Sequence, residues 1–253
     1  MFITPAHAAS GFEIDPMHQF EIQTLLPLQI GGIDISFTNS AAWMVIITLA
    51  AYIFLATAMR RSALVPGRLQ SLAELSYEFV LNMVQQNAGK GSLPYFPFIY
   101  TLFLFILCAN MFGMLPYAFT VTSHIAVTFA FAVFIFIGAT IIGFVKHGVG
   151  FCQFFVPKGV PIFLLPLLVV IEIISYLTRP ISLSVRLFAN MMAGHAMLKV
   201  FAGFVGALGI IGGWLPLGFM VAFTGLEILI AFLQAYVFTI LTCIYLHDAL
   251  HMH

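Results

Sequence analysis

Between Ser40 and Met59 the chain carries no charged residue, and the run stops abruptly at Arg60 and Arg61. About twenty apolar residues wound as an α-helix match the hydrocarbon thickness of a bilayer, and a backbone in that solvent must satisfy its own hydrogen bonds. Comparable apolar stretches recur at 94–116, 124–146, 161–204 and 214–247. Pro116 and the short stretch Tyr117 to His124 separate two of them, which are expected to pair as a hairpin. The remaining helical pattern, 64–88, places Arg68, Glu74, Glu78 and Gln85 among leucines, which predicts an amphipathic helix along the membrane surface and not a crossing. The expected fold is therefore an all-α polytopic membrane protein with about five transmembrane helices and one surface helix. A polar lead-in over 1–39 precedes a single transmembrane domain over 40–253.

Composition closes the alternatives. Hydrophobic residues are 62% of the chain and charged ones 7%, where a soluble domain has about a quarter charged. Lipid must coat most of the surface. The formal net charge is zero, so no electrostatic argument favours nucleic acid. Cys108, Cys152 and Cys243 lack metal-ligand spacing, and no paired histidines mark a haem site within the spans, so no metal or cofactor is expected. The C-terminal His247, His251 and His253 are read as a solvated tail. No basic stretch followed by an apolar run begins the chain, so His7-Ala8-Ala9 is not read as a signal-peptide cleavage site. Arg60, Arg61, Arg68, Lys90, Lys146 and Lys158 all fall on one side when five crossings are threaded, which predicts an outer N-terminus and an inner C-terminus.

The segment 161–204 is the anomaly. It exceeds forty residues without a clear loop signal, and at about 1.5 Å per residue that is longer than a bilayer is thick. Either it breaks near Pro180 or it crosses as one steeply tilted, kinked helix. A glycine-rich turn is expected after it, over Gly206 to Pro216.

That segment also carries charges. A basic residue at a membrane-helix centre costs roughly 2.5 to 3.5 kcal/mol, so each requires a reason. Glu172, Arg179 and Arg186 are spaced by seven, with Ser175, Ser182 and Asn190 at steps of three or four, which makes one polar stripe. Arg179 and Lys199 can reach opposite interfaces by snorkelling, and the serines can bond to backbone. Arg186 has no such escape, because a guanidinium cannot shed its proton. His195 lies nine residues beyond it, on roughly the opposite helix face. Glu227 and Gln234, again seven apart, form a second stripe on the last helix, and Glu227 with His195 could relay a proton.

The run Arg179-Pro180-Ile181-Ser182-Leu183-Ser184-Val185-Arg186-Leu187-Phe188-Ala189-Asn190-Met191-Met192-Ala193-Gly194-His195 closely resembles the signature of subunit a of F-type ATP synthases. Asn110 with Leu115-Pro116, Glu172, and Glu227 with Leu233-Gln234-Ala235-Tyr236 agree with it as well. The resemblance implies a non-catalytic membrane stator beside a ring of c subunits, with b-type peripheral stalk subunits and a soluble ATPase sector as further partners, in a bacterial or mitochondrial inner membrane. It implies no cofactor. Arg186 would be the essential cation between two offset proton half-channels. Asn190, His195, Glu227 and Gln234 would line the outer half-channel, and Glu172 and Ser175 the inner one. Some bacterial relatives carry glutamate at the His195 position and histidine at that of Glu227, so the pair is exchanged here, and Gly113 stands where some have an aspartate. The chain has no Gly-rich loop with lysine for a nucleotide phosphate, so ATP chemistry belongs to partners. It also lacks the repeats of a secondary transporter.

Overall fold

A computed structural model describes residues 20–27, 29–30, 33–34, 36–60, 63, 65–115, 118–148, 150–151, 156 and 163–250. His7, Ala8, Ala9, Glu13, Asp15, Arg61, Pro116, Tyr117, Cys152, Lys158, Pro161, His251 and His253 lie outside the described residues. Among the described residues five helices are long and apolar enough to cross a membrane, and the chain is an all-α polytopic membrane protein.

The lead-in is not wholly irregular. Strand β1 (Thr24–Leu26) pairs antiparallel with β4 (Phe37–Thr38), and β2 (Gln29–Ile30) with β3 (Ile33–Asp34). These strands are too short to show as alternating patterns in the sequence. Thr38 caps helix α1 (Asn39–Met59), its hydroxyl accepting from the Ala41 amide at 3.3 Å. Helix α1 is apolar on every side, buries Ile47 against Phe119 and Val121, and leaves most of its surface for lipid.

Helix α2 (Arg68–Asn87) is amphipathic as the sequence predicts. Ala73, Val80 and Val84 share its buried face, while Phe79 meets the rings of Phe103 and Phe232 at 5.8 and 5.9 Å. A 3-10 turn (Lys90–Tyr95) leads into α3 (Phe96–Gly113), the most enclosed of the spans, and α4 (Ile125–His147) follows. The expected hairpin of α3 with α4 is a loose one, with few close backbone approaches. The 3-10 turn Val121–Ser123 lies in the link between them, and they meet through large rings, Phe105 on Phe131 at 5.0 Å and Phe98 on Phe134 at 6.1 Å. The last helix packs against both instead.

Helix α5 (Leu165–Gly212) settles the two alternatives left by its length. It does not break at Pro180. Packing against its neighbours outweighs the hydrogen bond that proline removes there. The helical run is interrupted only at Gly209, whose φ of 62° and ψ of −160° are open essentially to glycine alone. The turn is thus tighter than the expected Gly206 to Pro216, and α6 (Trp214–Leu250) begins at once. A Cβ on Gly213 would sit 2.7 Å from the Gly209 carbonyl oxygen, so the close reversal requires glycine there too.

At about 1.5 Å per residue α5 and α6 are each far longer than the bilayer is thick, and they run as a pair. Leu183, Leu187 and Met191 of α5 are fully buried in the cluster that also holds Ala231, Ala235 and Phe238 of α6. The two alanines, one turn apart, let the backbones approach closely. At the far end Lys146 donates to the Leu250 carbonyl at 3.1 Å, tying the end of α4 to that of α6.

Candidate proton-transfer site

Small residues bring the two polar helices together at the level of His195. Gly194, just before it, faces Glu227, and a Cβ added there would lie 2.8 Å from Oε1. Glu227 therefore reaches the imidazole, and its Oε1 bonds to His195 Nδ1. Both side chains are nearly enclosed, at 6% and 3% exposure. On the other side of the ring, His195 Nε2 donates to the Gly113 carbonyl at 2.8 Å.

These contacts restrict the chemistry. A carbonyl oxygen only accepts, so Nε2 must carry hydrogen. Nδ1 then either accepts from a protonated Glu227 or, in the imidazolium, donates to its carboxylate. The pair can hold one mobile proton in two positions without any other side chain moving. Glu227 Oε2 is buried with no hydrogen-bond partner among the described residues, which leaves a second acceptor for a proton to leave by.

Two turns further along α6, Gln234 is 3% exposed. Its Oε1 accepts from Asn190 Nδ2 at 3.0 Å, and its Nε2 is buried without a partner among the described residues. Asn190 is one turn beyond Arg186 on α5, so the Asn190–Gln234 bond lies near the level of the arginine. Between the two α6 groups, Asn110 of α3 is fully buried. It donates to the Ala231 carbonyl at 3.1 Å and accepts from Thr122 at 2.9 Å. Four residues on two helices thus form a polar line, the buried His195, Glu227 and Gln234 with the half-buried Asn190.

Arg186 is not part of that line. It is exposed on α5, on the face turned away from His195, with Ser182, Val185, Ala189 and Ala193 also open along the same surface. Among the described residues no hydrogen bond or ion pair engages its guanidinium. The opposition of Arg186 and His195 follows from their spacing of nine, as the sequence requires.

The polar stripe splits at Arg179. Its Nη1 donates to Asp248 Oδ2 at 2.8 Å, and the guanidinium also lies 5.4 and 5.6 Å from the rings of Tyr176 and Tyr245. The sequence left this charge to snorkelling, and here an ion pair with the end of α6 compensates it. Asp248 was legible only as an acid near the chain end, with nothing to name its partner. Glu172 is half-buried and Ser175 exposed on α5, and no hydrogen bond joins either side chain to the polar line. Lys199 sits one turn after His195 with its Nζ 5.9 Å from the ring of Phe20. Thr122 completes the site without having stood out in sequence, and the contacts of the Gly113 carbonyl and of Gly194 with the pair were not legible there, because a hydroxyl near a loop, a backbone oxygen and a glycine carry no charge pattern. Cys108 and Cys243 are free thiols.

Gly194→Ala tests how tightly the pair is set. The added methyl displaces a buried carboxylate from its imidazole, so we expect a loss of about 1–3 kcal/mol in stability, read by thermal unfolding in detergent, with proton conduction weakened.

A family model described as ATP synthase A chain matches residues 41–247. The chain is 63% identical over 240 residues to ATP synthase subunit a of Pelagibacter ubique (strain HTCC1062), covering 94% of this chain and 98% of that one. It is 61% identical over 247 residues to ATP synthase subunit a of Parvibaculum lavamentivorans, covering 95% of each. With Rhizobium meliloti (strain 1021) ATP synthase subunit a it shares 58% over 243 residues, 94% of this chain and 97% of the other. Similarity of this extent, running through every helix from α1 to α6, makes the chain a member of the ATP synthase A chain family.

Proposed function

We propose that this chain is the proton-conducting stator subunit of an F-type ATP synthase membrane sector. Two offset half-channels deliver protons to, and collect them from, carboxylates on a rotating c-ring, and so couple proton flow to rotation and ATP synthesis. The observation that carries this reading is Arg186: a permanent cation, exposed, without an ion-pair partner among the described residues, on the opposite face of α5 from a buried His195–Glu227 pair. A bare guanidinium on a membrane helix is stable only beside water or a partner's acid. A carboxylate arriving on a neighbouring ring is ionised by it, and a second cation is kept from passing.

His195, Glu227, Gln234 and Asn190 form the outer route, and Glu172 with Ser175 the inner one. The polar lead-in 1–39 and the basic loops put the N-terminus outside and the C-terminus on the cytoplasmic or matrix side of the inner membrane. The ion is a proton, since an imidazole–carboxylate pair moves protons and offers little to a sodium ion. ATP chemistry is left to the soluble sector, which b-type stalk subunits hold to this stator.

The test is purification of the tagged chain in mild detergent from its own membranes. A c-ring and a soluble ATPase should elute with it in constant ratio. A chain that elutes alone and conducts ions by itself after reconstitution would instead be a free-standing channel.

A further inference from the structure

Phe20, the first described residue, lies against the buried pair. Phe20 is half-buried, with its ring centroid 6.4 Å from that of His195 and 5.9 Å from the Lys199 ammonium. Asn39, the first residue of α1, fixes the segment that bears it. Its Nδ2 donates to the Glu21 carbonyl at 3.1 Å, its Oδ1 accepts from the Gln23 amide at 3.3 Å, and its own amide donates to the Gln23 carbonyl at 3.0 Å. Pairing of β1 with β4 closes the loop between the two ends of this strap.

We propose that Phe20 is a positioning residue for the proton site, and that Asn39 is the clamp that seats it. The ring covers the outer side of the His195 imidazole, keeping bulk water from competing with Glu227 for Nδ1. Two other sides are already taken, by Glu227 from α6 and by the Gly113 carbonyl from α3. Lys199 over the ring adds a cation–π contact that holds the strap shut from the helix side. The inference deepens the reading of His195 and Glu227 as the outer proton site and rests on it.

Accessibility of position 195 tests it without needing proton flow. The reporter is His195→Cys in the assembled complex, with Cys108→Ala, Cys152→Ala and Cys243→Ala to remove the natural thiols. A membrane-impermeant sulfonated methanethiosulfonate is added from the outer side. With the imidazole gone in the reporter, the Lys199–Phe20 cation–π contact is what still holds the ring in place, so Phe20→Ala should raise the labelling rate about 2- to 5-fold. Asn39→Ala, which touches neither His195 nor Glu227, should do the same, and Phe20→Tyr should keep the slow rate. Any other pattern overturns the assignment. Co-purification of the ring is read on the same samples, so failure of the stator reading and failure of the strap are told apart.

Discussion

Arg186→Ala is expected to abolish proton-driven ATP synthesis while the soluble sector still hydrolyses ATP. At about 4 Å and an effective dielectric near 20, a guanidinium and a carboxylate attract by about 4 kcal/mol, close to three decades in the equilibrium that ionises a ring carboxylate. In the proposed mechanism an arriving ring acid would then keep its proton, and the barrier proposed between two half-channels would lose its charge. Arg186→Lys is the sharper control. An ammonium supplies charge, but it is a compact point that can give up its proton on burial, so it should restore only a small part of the rate. Synthesis in inverted vesicles, driven by a respiratory substrate, is the measurement. Normal synthesis by the alanine variant would remove Arg186 from the mechanism.

The contrast between Arg186 and Arg179 shows what a sequence can say about charges in lipid. Both were legible as costly, and their spacing of seven placed them on one stripe. Which one was compensated was not legible, because Asp248 lies 69 residues further along and meets Arg179 only when α6 packs back on α5. The seven spacing of Glu227 and Gln234, and the nine spacing of Arg186 and His195, survive intact, since helical periodicity alone fixes which face a residue occupies. Contacts across helices do not follow from periodicity. Asn190 with Gln234, and Asn110 with the Ala231 carbonyl, depend on how close two backbones come, and small residues scattered over α6 decide that.

The fold divides in the same way. Five crossings and an amphipathic helix were visible from hydropathy and from the position of the prolines. Pro180 was a misleading signal, because tertiary packing on α5 overrides a local breaker, whereas Gly209, one glycine among several in its stretch, makes the real interruption. The α3–α4 pair is looser than the sequence suggested for a related reason. Sequential spans usually neighbour each other, but α6 competes for the same faces and buries more of them. The lead-in strands carried no signal, being two or three residues long.

Glu227→Gln should slow proton conduction by roughly 10²–10⁴-fold, the usual contribution of a positioned acid or base. The substitution is nearly isosteric, so the pocket against Gly194 stays filled and the helices stay packed. What changes is chemical. The amide can still donate to His195 Nδ1, but it cannot take a proton up or release one, and the unpartnered Oε2 that would pass it onward becomes part of a neutral group. His195 is then held in one tautomer, with Nε2 bound to the Gly113 carbonyl, and the relay stops at the ring. Glu227→Asp separates the two requirements: the acid remains but its shorter side chain no longer spans to the imidazole, so partial conduction is expected there and almost none with Gln. Proton uptake into vesicles from which the soluble sector has been stripped measures both. Equal rates for Glu227→Gln and the unsubstituted chain would show that protons bypass this carboxylate, and with it the whole polar line from His195 to Asn190.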